Sequence, residues 1–368
     1  MEGLLEDALR IAIIGPPWYP LPPNGYGGTE LVVHLLATEL RRLGHHVQVF
    51  GAEHSAAGVE MVADASWASD LGSSRESVRL ATYLARVYQR LRPQQFDVIH
   101  DHTGPAGLLL AIHSGLAPVT VHTVHCELTE PMRTFYTQVE DEARLFAISS
   151  SQAQTAPEVR FRGVVHNAVT PPHVAPSQRR ERHLIQVARI TPDKGQHLSI
   201  EVARRAGRKL ILAGKVERTQ AGQRYFEDEI EPHLGRQVEY YPNLAGAEKE
   251  RLVARAAAAI FPLQWSEPFG LAMVEAMVLG TPVLAFASGS APELITPGVT
   301  GFLSNDVDQM VAAVQLLDEI DPEDCAACAR ERFSPGRMAR GYLEGYSSSS
   351  SARAHHQPQA PLGHRVPD

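Results

Sequence analysis

Arg10-Ile11-Ala12-Ile13-Ile14-Gly15 is followed by a loop rich in proline and glycine that runs from Pro16 to Gly28. The loop leads into Thr29-Glu30-Leu31-Val32-Val33-His34-Leu35-Leu36. The first run is short, apolar and β-branched, so it reads as a buried parallel strand ending at Gly15. Leu31, His34-Leu35 and Thr38 fall at helical spacing, which predicts a helix from Thr29 to Leu43 with Thr29 as its N-cap. Gly44 ends that helix, and His46 to Phe50 reads as the next strand. Strand, glycine loop, helix and strand in this order form the repeating unit of a doubly wound sheet.

The unit recurs along the chain. Val78 to Arg90 reads as helix, Asp97 to His100 as strand and Val119 to Val124 as strand. Pro131 to Arg144 reads as helix with proline at its start, and Phe146 to Ser149 as strand. From about Asn167 to Arg182 the pattern breaks among Pro171, Pro172 and Pro176, and a linker is expected at 171–182. The alternation then restarts. Strands are expected at Leu184–Ala188, Leu210–Ala213, Val238–Tyr241, Ala258–Phe261 and Pro282–Phe286. Helices are expected at Gly195–Ala206, Ala247–Ala257, Gly270–Leu279, Asp306–Leu317 and Pro335–Tyr346. The expected organisation is therefore an α/β domain at 1–170, a second at 183–346, and a serine-, proline- and histidine-rich tail at 347–368 that cannot bury a core.

Bulk properties narrow the classes. The chain has 368 residues, enough for two domains with separate cores, and its 44% hydrophobic and 21% charged content is that of a globular protein. A formal net charge of -8 lacks the basic surplus of a protein built to grip nucleic acid, so no nucleic-acid partner is expected. Three cysteines, Cys126, Cys325 and Cys328, are too few for a disulfide framework and suit a reducing cytoplasm. The acidic first ten residues do not read as a secretory signal, and no apolar run has the length of a membrane span. Peripheral contact with a membrane and the oligomeric state are left open.

Four constellations carry chemistry. The first is Trp265-Ser266-Glu267-Pro268-Phe269-Gly270-Leu271-Ala272-Met273-Val274-Glu275, with two carboxylates placed before and within a helix. The free amides of Phe269 to Ala272 at the helix start would make an anion site for a diphosphate, and the flanking carboxylates could accept hydrogen bonds from sugar or ribose hydroxyls. The second is Arg189-Ile190-Thr191-Pro192-Asp193-Lys194-Gly195, directly after a strand, whose two cations suit a leaving diphosphate without a metal. The third is Gly25-Tyr26-Gly27-Gly28-Thr29-Glu30, whose glycines let backbone approach a ligand; it lacks the spacing of a dinucleotide fingerprint. The fourth is the histidine set His100, His102, His122 and His125. A metal hydrolase could use such a pair, but hydrogen bonding of a sugar by His125 or His102 suits the set better.

With these residues in place, the chain resembles glycosyltransferase family 4 over roughly residues 9 to 346. The matching strings are Pro23 to Glu30, Asp97 to His102, His122 to His125, Arg189 to Gly195, Glu267 to Glu275, Gly280-Thr281-Pro282-Val283 and Gly301-Phe302. The resemblance implies the GT-B fold: two facing Rossmann-like domains with the active site in the cleft between them. It also implies retaining, metal-independent transfer from a UDP-, GDP- or ADP-linked sugar to an acceptor hydroxyl, with no cofactor. By the family motif, Arg189 and Lys194 hold the diphosphate. Glu267 faces the donor sugar beside the amides of Phe269, Gly270 and Leu271, and Glu275 holds the ribose. Gly27 and Gly28 approach the phosphates, His125 sits near the sugar ring, and His102 near the cleft or acceptor. An epimerase or glycan phosphorylase on the same fold is the alternative, ahead of a histidine-metal hydrolase.

Overall fold

The computed structural model describes residues 8–347 apart from Tyr26 and Pro93, so the expected tail from residue 348 onward lies outside the described residues. Two all-parallel sheets are present. The first contains β1 (Arg10–Ile14), β2 (His46–Ala52), β3 (Val59–Ala63), β4 (Val98–Asp101), β5 (Thr120–Val124), β6 (Arg144–Ala147) and β7 (Gly163–Val164), in the spatial order β3-β2-β1-β4-β5-β6-β7. The second contains β8 (Leu184–Val187), β9 (Leu210–Ala213), β10 (Val238–Tyr241), β11 (Ala258–Phe261), β12 (Val283–Phe286) and β13 (Gly301–Ser304), in the order β10-β9-β8-β11-β12-β13. In both sheets the chain winds one way and then reverses, which is the Rossmann-like order. The chain is a two-domain α/β protein of the GT-B type.

Helices cover both faces. Those of the first half are α1 (Gly28–Arg42), α2 (Glu76–Tyr88), α3 (Pro105–His113), α4 (Glu130–Val139) and α5 (Ser150–Gln154). The second half adds α6 (Gln196–Arg205), α7 (Gln220–Tyr225), α8 (Gly246–Arg255), α9 (Leu271–Val278), α10 (Ala291–Leu294), α11 (Val307–Ala313), α12 (Pro322–Arg332) and α13 (Pro335–Ser347). Among the described residues no helix is long and apolar enough to cross a membrane.

Several boundaries differ from the sequence reading, each for a local reason. Gly27, at φ 143°, caps α1 in place of Thr29, which lies inside the first turn. The helix expected to reach Arg144 stops at Val139, where Glu140, Asp141 and Glu142 would place three acids at the negative end of the dipole. The helix expected over Asp306–Leu317 ends at Ala313 and tightens into a 3-10 turn over Val314–Glu319. The sequence reading did not anticipate β3, an edge strand with an exposed Met61, or α3, apolar almost throughout, nor the short elements α5, β7, α7, α10 and β13.

The last helix does not stay with the second sheet. Met338, Ala339, Tyr342, Leu343 and Tyr346 of α13 are buried in one cluster with Val32, Leu36 and Leu40 of α1 and with Phe146 and Val165 of the first domain. A glycine face allows the contact: a Cβ on Gly345 would collide with the Phe146 ring, and one on Gly341 would lie 3.3 Å from Val165. Replacing Tyr342, which is fully buried, by alanine should lower the unfolding free energy by roughly 3–5 kcal/mol in urea titration. A loss below about 1 kcal/mol would mean that α13 contributes little to the first domain.

Candidate active site

The reversal of winding in the second sheet falls between β8 and β11, and the loops that follow these two strands carry most of the charged candidates. Lys194 ends the 3-10 turn Pro192–Lys194. Gly195 follows at φ 68°, where any Cβ would collide with the Pro262 carbonyl. That missing side chain lets the two loops touch, and Gln264 N donates to Asp193 O at 2.8 Å. The approach brings Lys194 Nζ within 2.6 Å of Glu267 Oε2, with the side chains only 13% and 18% exposed. Arg189, five residues earlier, meets Glu217 at 2.9 Å in a more open setting. Glu275, inside α9, meets Lys249 of α8 at 3.0 Å.

The loop from Glu267 to Gly270 is pinned at nearly every residue. Ser290 N donates to Glu267 O at 3.0 Å, and Gly289 packs so closely that a Cβ would lie 2.5 Å from Glu267 N. Ser290 Oγ donates to Phe269 O, and Ser149 Oγ of the first domain donates to Pro268 O, both at 2.6 Å. Gly270 takes φ 87° and turns the chain into α9, where the first bond is Met273 N donating to Gly270 O at 3.0 Å, followed by Val274 N to the same oxygen. The amides before these bonds have no acceptor inside the helix, so Gly270, Leu271 and Ala272 present N–H groups at its positive end. Gly28 lies against this turn: a Cβ on it would come within 2.9 Å of Leu271 Cδ1. The glycine loop of one domain and the start of α9 in the other are thus brought together.

On the first domain, His125 is partly buried just beyond β5, and its Nε2 lies 2.8 Å from His102 Nδ1. His102 is only 4% exposed, so it supports His125 from behind and does not stand open to an acceptor. Its Nε2 has no hydrogen-bond partner among the described residues. The His100 ring lies tilted against His102 at 4.0 Å and is held by Tyr346 at 2.7 Å and Thr123 at 2.8 Å. His122 joins Asp101 at 2.6 Å and Tyr136 at 3.0 Å. The histidines are engaged with one another and with hydroxyls, and no three His, Cys, Asp or Glu side chains among the described residues converge as metal ligands.

Comparison with known proteins agrees with this geometry. Residues 26–194 match the model described as Glycosyltransferase Family 4, and residues 173–332 match that of glycosyl transferases group 1. The chain is a family 4 glycosyltransferase. It is 26% identical to the D-inositol 3-phosphate glycosyltransferase of Mycolicibacterium smegmatis, with 96% of this chain and 94% of the other aligned. It is also 26% identical to a glycogen synthase of Mycobacterium tuberculosis, over 98% of this chain and 100% of the other. The fold matches that of Anabaena HepE, solved with UDP-glucose, at a TM-score of 0.68 and 20% identity, covering 92% and 100% of the two chains.

The glycosyltransferase also holds charged groups that sequence reading did not single out. Glu217 and Lys249 lie outside the motif strings and are found only through their partners. Glu293 bridges the domains: its carboxylate accepts from Ser150 N at 3.0 Å, Ser151 N at 3.1 Å and His166 Nε2 at 2.6 Å. Burial pushes this carboxyl up, but the His166 and backbone hydrogen bonds outweigh it and hold the group at about 2. The short string Gly289-Ser290-Ala291-Pro292-Glu293 was the available signal, a glycine turn before a proline-started helix.

The histidine cluster gives the enzyme an acid limit. Burial, reinforced by neighbouring histidines, holds His100 and His102 well below the usual range and His125 at about 3. Burial likewise lowers His34, His45 and His183. The unfolded chain takes up protons below about pH 6.5 while the folded sites stay neutral, so stability falls as pH drops through that value toward the folded ones. Burial raises Glu30 to about 7, which acts in the opposite sense and offsets roughly one histidine. Unfolding free energy should fall by about 2 kcal/mol from pH 7 to 5.5, at a rate of about 1.4 kcal/mol per pH unit for each fully titrating histidine. Equal urea midpoints at the two pH values would contradict neutral burial of the cluster.

Proposed function

We propose that the enzyme transfers a sugar from a nucleoside-diphosphate sugar to an acceptor hydroxyl, with retention at the anomeric carbon and without a divalent metal. The carrying observation is the Lys194–Glu267 pair at the start of α9, facing the glycine loop across the cleft. Lys194 and Arg189 supply two positive charges for the diphosphate, and the amides of Phe269, Gly270 and Leu271 add the dipole of α9. The backbone of Gly27 and Gly28 closes on the same phosphates from the other domain. Glu267 accepts hydrogen bonds from hydroxyls of the donor sugar, Glu275 those of the ribose, and His125 meets the sugar ring. HepE, with the same fold, was solved with UDP-glucose, which agrees with a donor of this class.

No side chain in the cleft is needed as a covalent nucleophile in this reading. The acceptor oxygen attacks the anomeric carbon on the face that the diphosphate leaves. The carbon–oxygen bond to phosphate breaks, and the acceptor proton passes to the departing phosphate oxygen. The protein's share is positioning and charge stabilisation of the leaving group.

Thermal-shift measurement with UDP-, GDP- and ADP-sugars in EDTA tests this directly. One donor at about 100 times its Kd should stabilise the fold by roughly 2.7 kcal/mol. A shift that needs zinc or manganese would overturn the metal-free reading. With that donor, Glu267→Ala and Lys194→Ala should each lower the rate of nucleoside diphosphate release at least about tenfold. Wild-type rates in both variants would remove these residues from the site.

A further inference from the structure

The donor-binding roles leave Trp265 without a task, although it sits two residues before Glu267 in the most informative string of the sequence. Its surroundings are specific. The close approach at Gly195 and the Gln264–Asp193 hydrogen bond carry the Trp265 indole to Lys194, whose Nζ lies 4.2 Å from the ring centroid. The same nitrogen is 2.6 Å from Glu267 Oε2, so the ammonium is held between a carboxylate and an aromatic face. The indole also packs on the core of the second domain. The indole Nε1 is buried and meets no acceptor among the described residues. A tryptophan whose N–H is buried without a partner is penalised relative to an aliphatic residue of similar bulk, so its N–H does not account for its presence. Its face does, because an indole is the strongest aromatic partner for a cation.

We propose that Trp265 is a positioning residue for Lys194: its ring keeps the ammonium at the diphosphate position while Nζ exchanges Glu267 for a phosphate oxygen. The proposal rests on the donor-binding role of Lys194. A carboxylate in place of the ring would hold the lysine equally well but would cancel the charge that the diphosphate needs. The ring attracts the cation without neutralising it, and its broad face lets Nζ move between oxygen partners without entering bulk water. Glu267 is thereby released to the donor sugar when the diphosphate arrives.

The test is a double-mutant cycle on the full chain, read by phosphorus NMR titration with UDP, GDP and ADP, which reaches millimolar dissociation constants. Trp265→Leu should weaken binding of the preferred diphosphate about tenfold. Trp265→Phe, which keeps an aromatic face, should stay within about threefold of the wild type. In a Lys194→Met background, Trp265→Leu should change binding less than about twofold, because the two residues act as one unit. Should the leucine variant fail to fold, Trp265→Met fills the same role in the cycle, with comparable bulk and no ring. Equal weakening in both backgrounds, no weakening at all, or a phenylalanine variant as damaged as the leucine one would reduce Trp265 to packing and leave the donor reading intact. A wild-type enzyme that binds none of the three diphosphates would overturn the donor reading, and the positioning role with it.

Discussion

Backbone contact between the loops after β8 and β11, made at Gly195 and Pro262, is the constraint on which the site depends. A parallel sheet whose winding reverses leaves a crevice at the carboxyl ends of the two central strands. In the second sheet those strands are β8 and β11, and the crevice would remain an open slot if residue 195 carried a side chain. Because it carries none, the loops close on each other, and Lys194, Trp265 and Glu267 come into one contact group. Ser290 and Ser149 then fix the Glu267–Gly270 backbone from two sides, one of them in the other domain.

The candidate cations are paired with carboxylates before any ligand arrives. Arg189 is paired with Glu217, Lys194 with Glu267, and Lys249 with Glu275. The three pairs differ in setting. Lys194 and Glu267 are the most enclosed, so their attraction is the least screened by solvent, whereas Arg189 and Glu217 stand in partial contact with water. On the proposed donor reading, a diphosphate exchanges with carboxylates already in position at Arg189 and Lys194. The side chains are ordered in advance, so little rotamer entropy is lost when partners change.

Much of this was legible in the sequence because the relevant residues are local. The β1 run, the strand at Leu210–Ala213 and the strand at Ala258–Phe261 were read with their observed bounds, since buried parallel strands are short apolar blocks with sharp ends. The motif strings around Lys194 and Glu267 stood out because glycine, proline and charge are concentrated there. Partners contributed from afar were not legible. Glu217 reaches Arg189 from 28 residues away, Glu293 reaches Ser150 from 143 away, and His100 reaches Tyr346 from 246 away. Nothing in local periodicity encodes such pairings, because they follow from how the two sheets and the last helix pack.

That last helix ties the architecture to the histidines. His125, partly buried at the end of β5, stacks on His102, whose ring lies tilted against His100. His100 is held by Tyr346 directly and, through the Thr123 hydroxyl, by Tyr342. Both tyrosines belong to α13, which the chain forms only after completing the second sheet. The support behind His125 is therefore delivered by α13, and it is polar. The tyrosine and threonine hydroxyls can each donate or accept, so they satisfy neutral imidazoles without a counter-charge. Asp101 is committed to His122 and to Thr103, which leaves the His100–His102–His125 column with hydroxyl and imidazole partners. A column of neutral rings brings no charge into the interior, so on the proposed donor reading it neither neutralises Lys194 nor adds to the positive charge offered to a diphosphate.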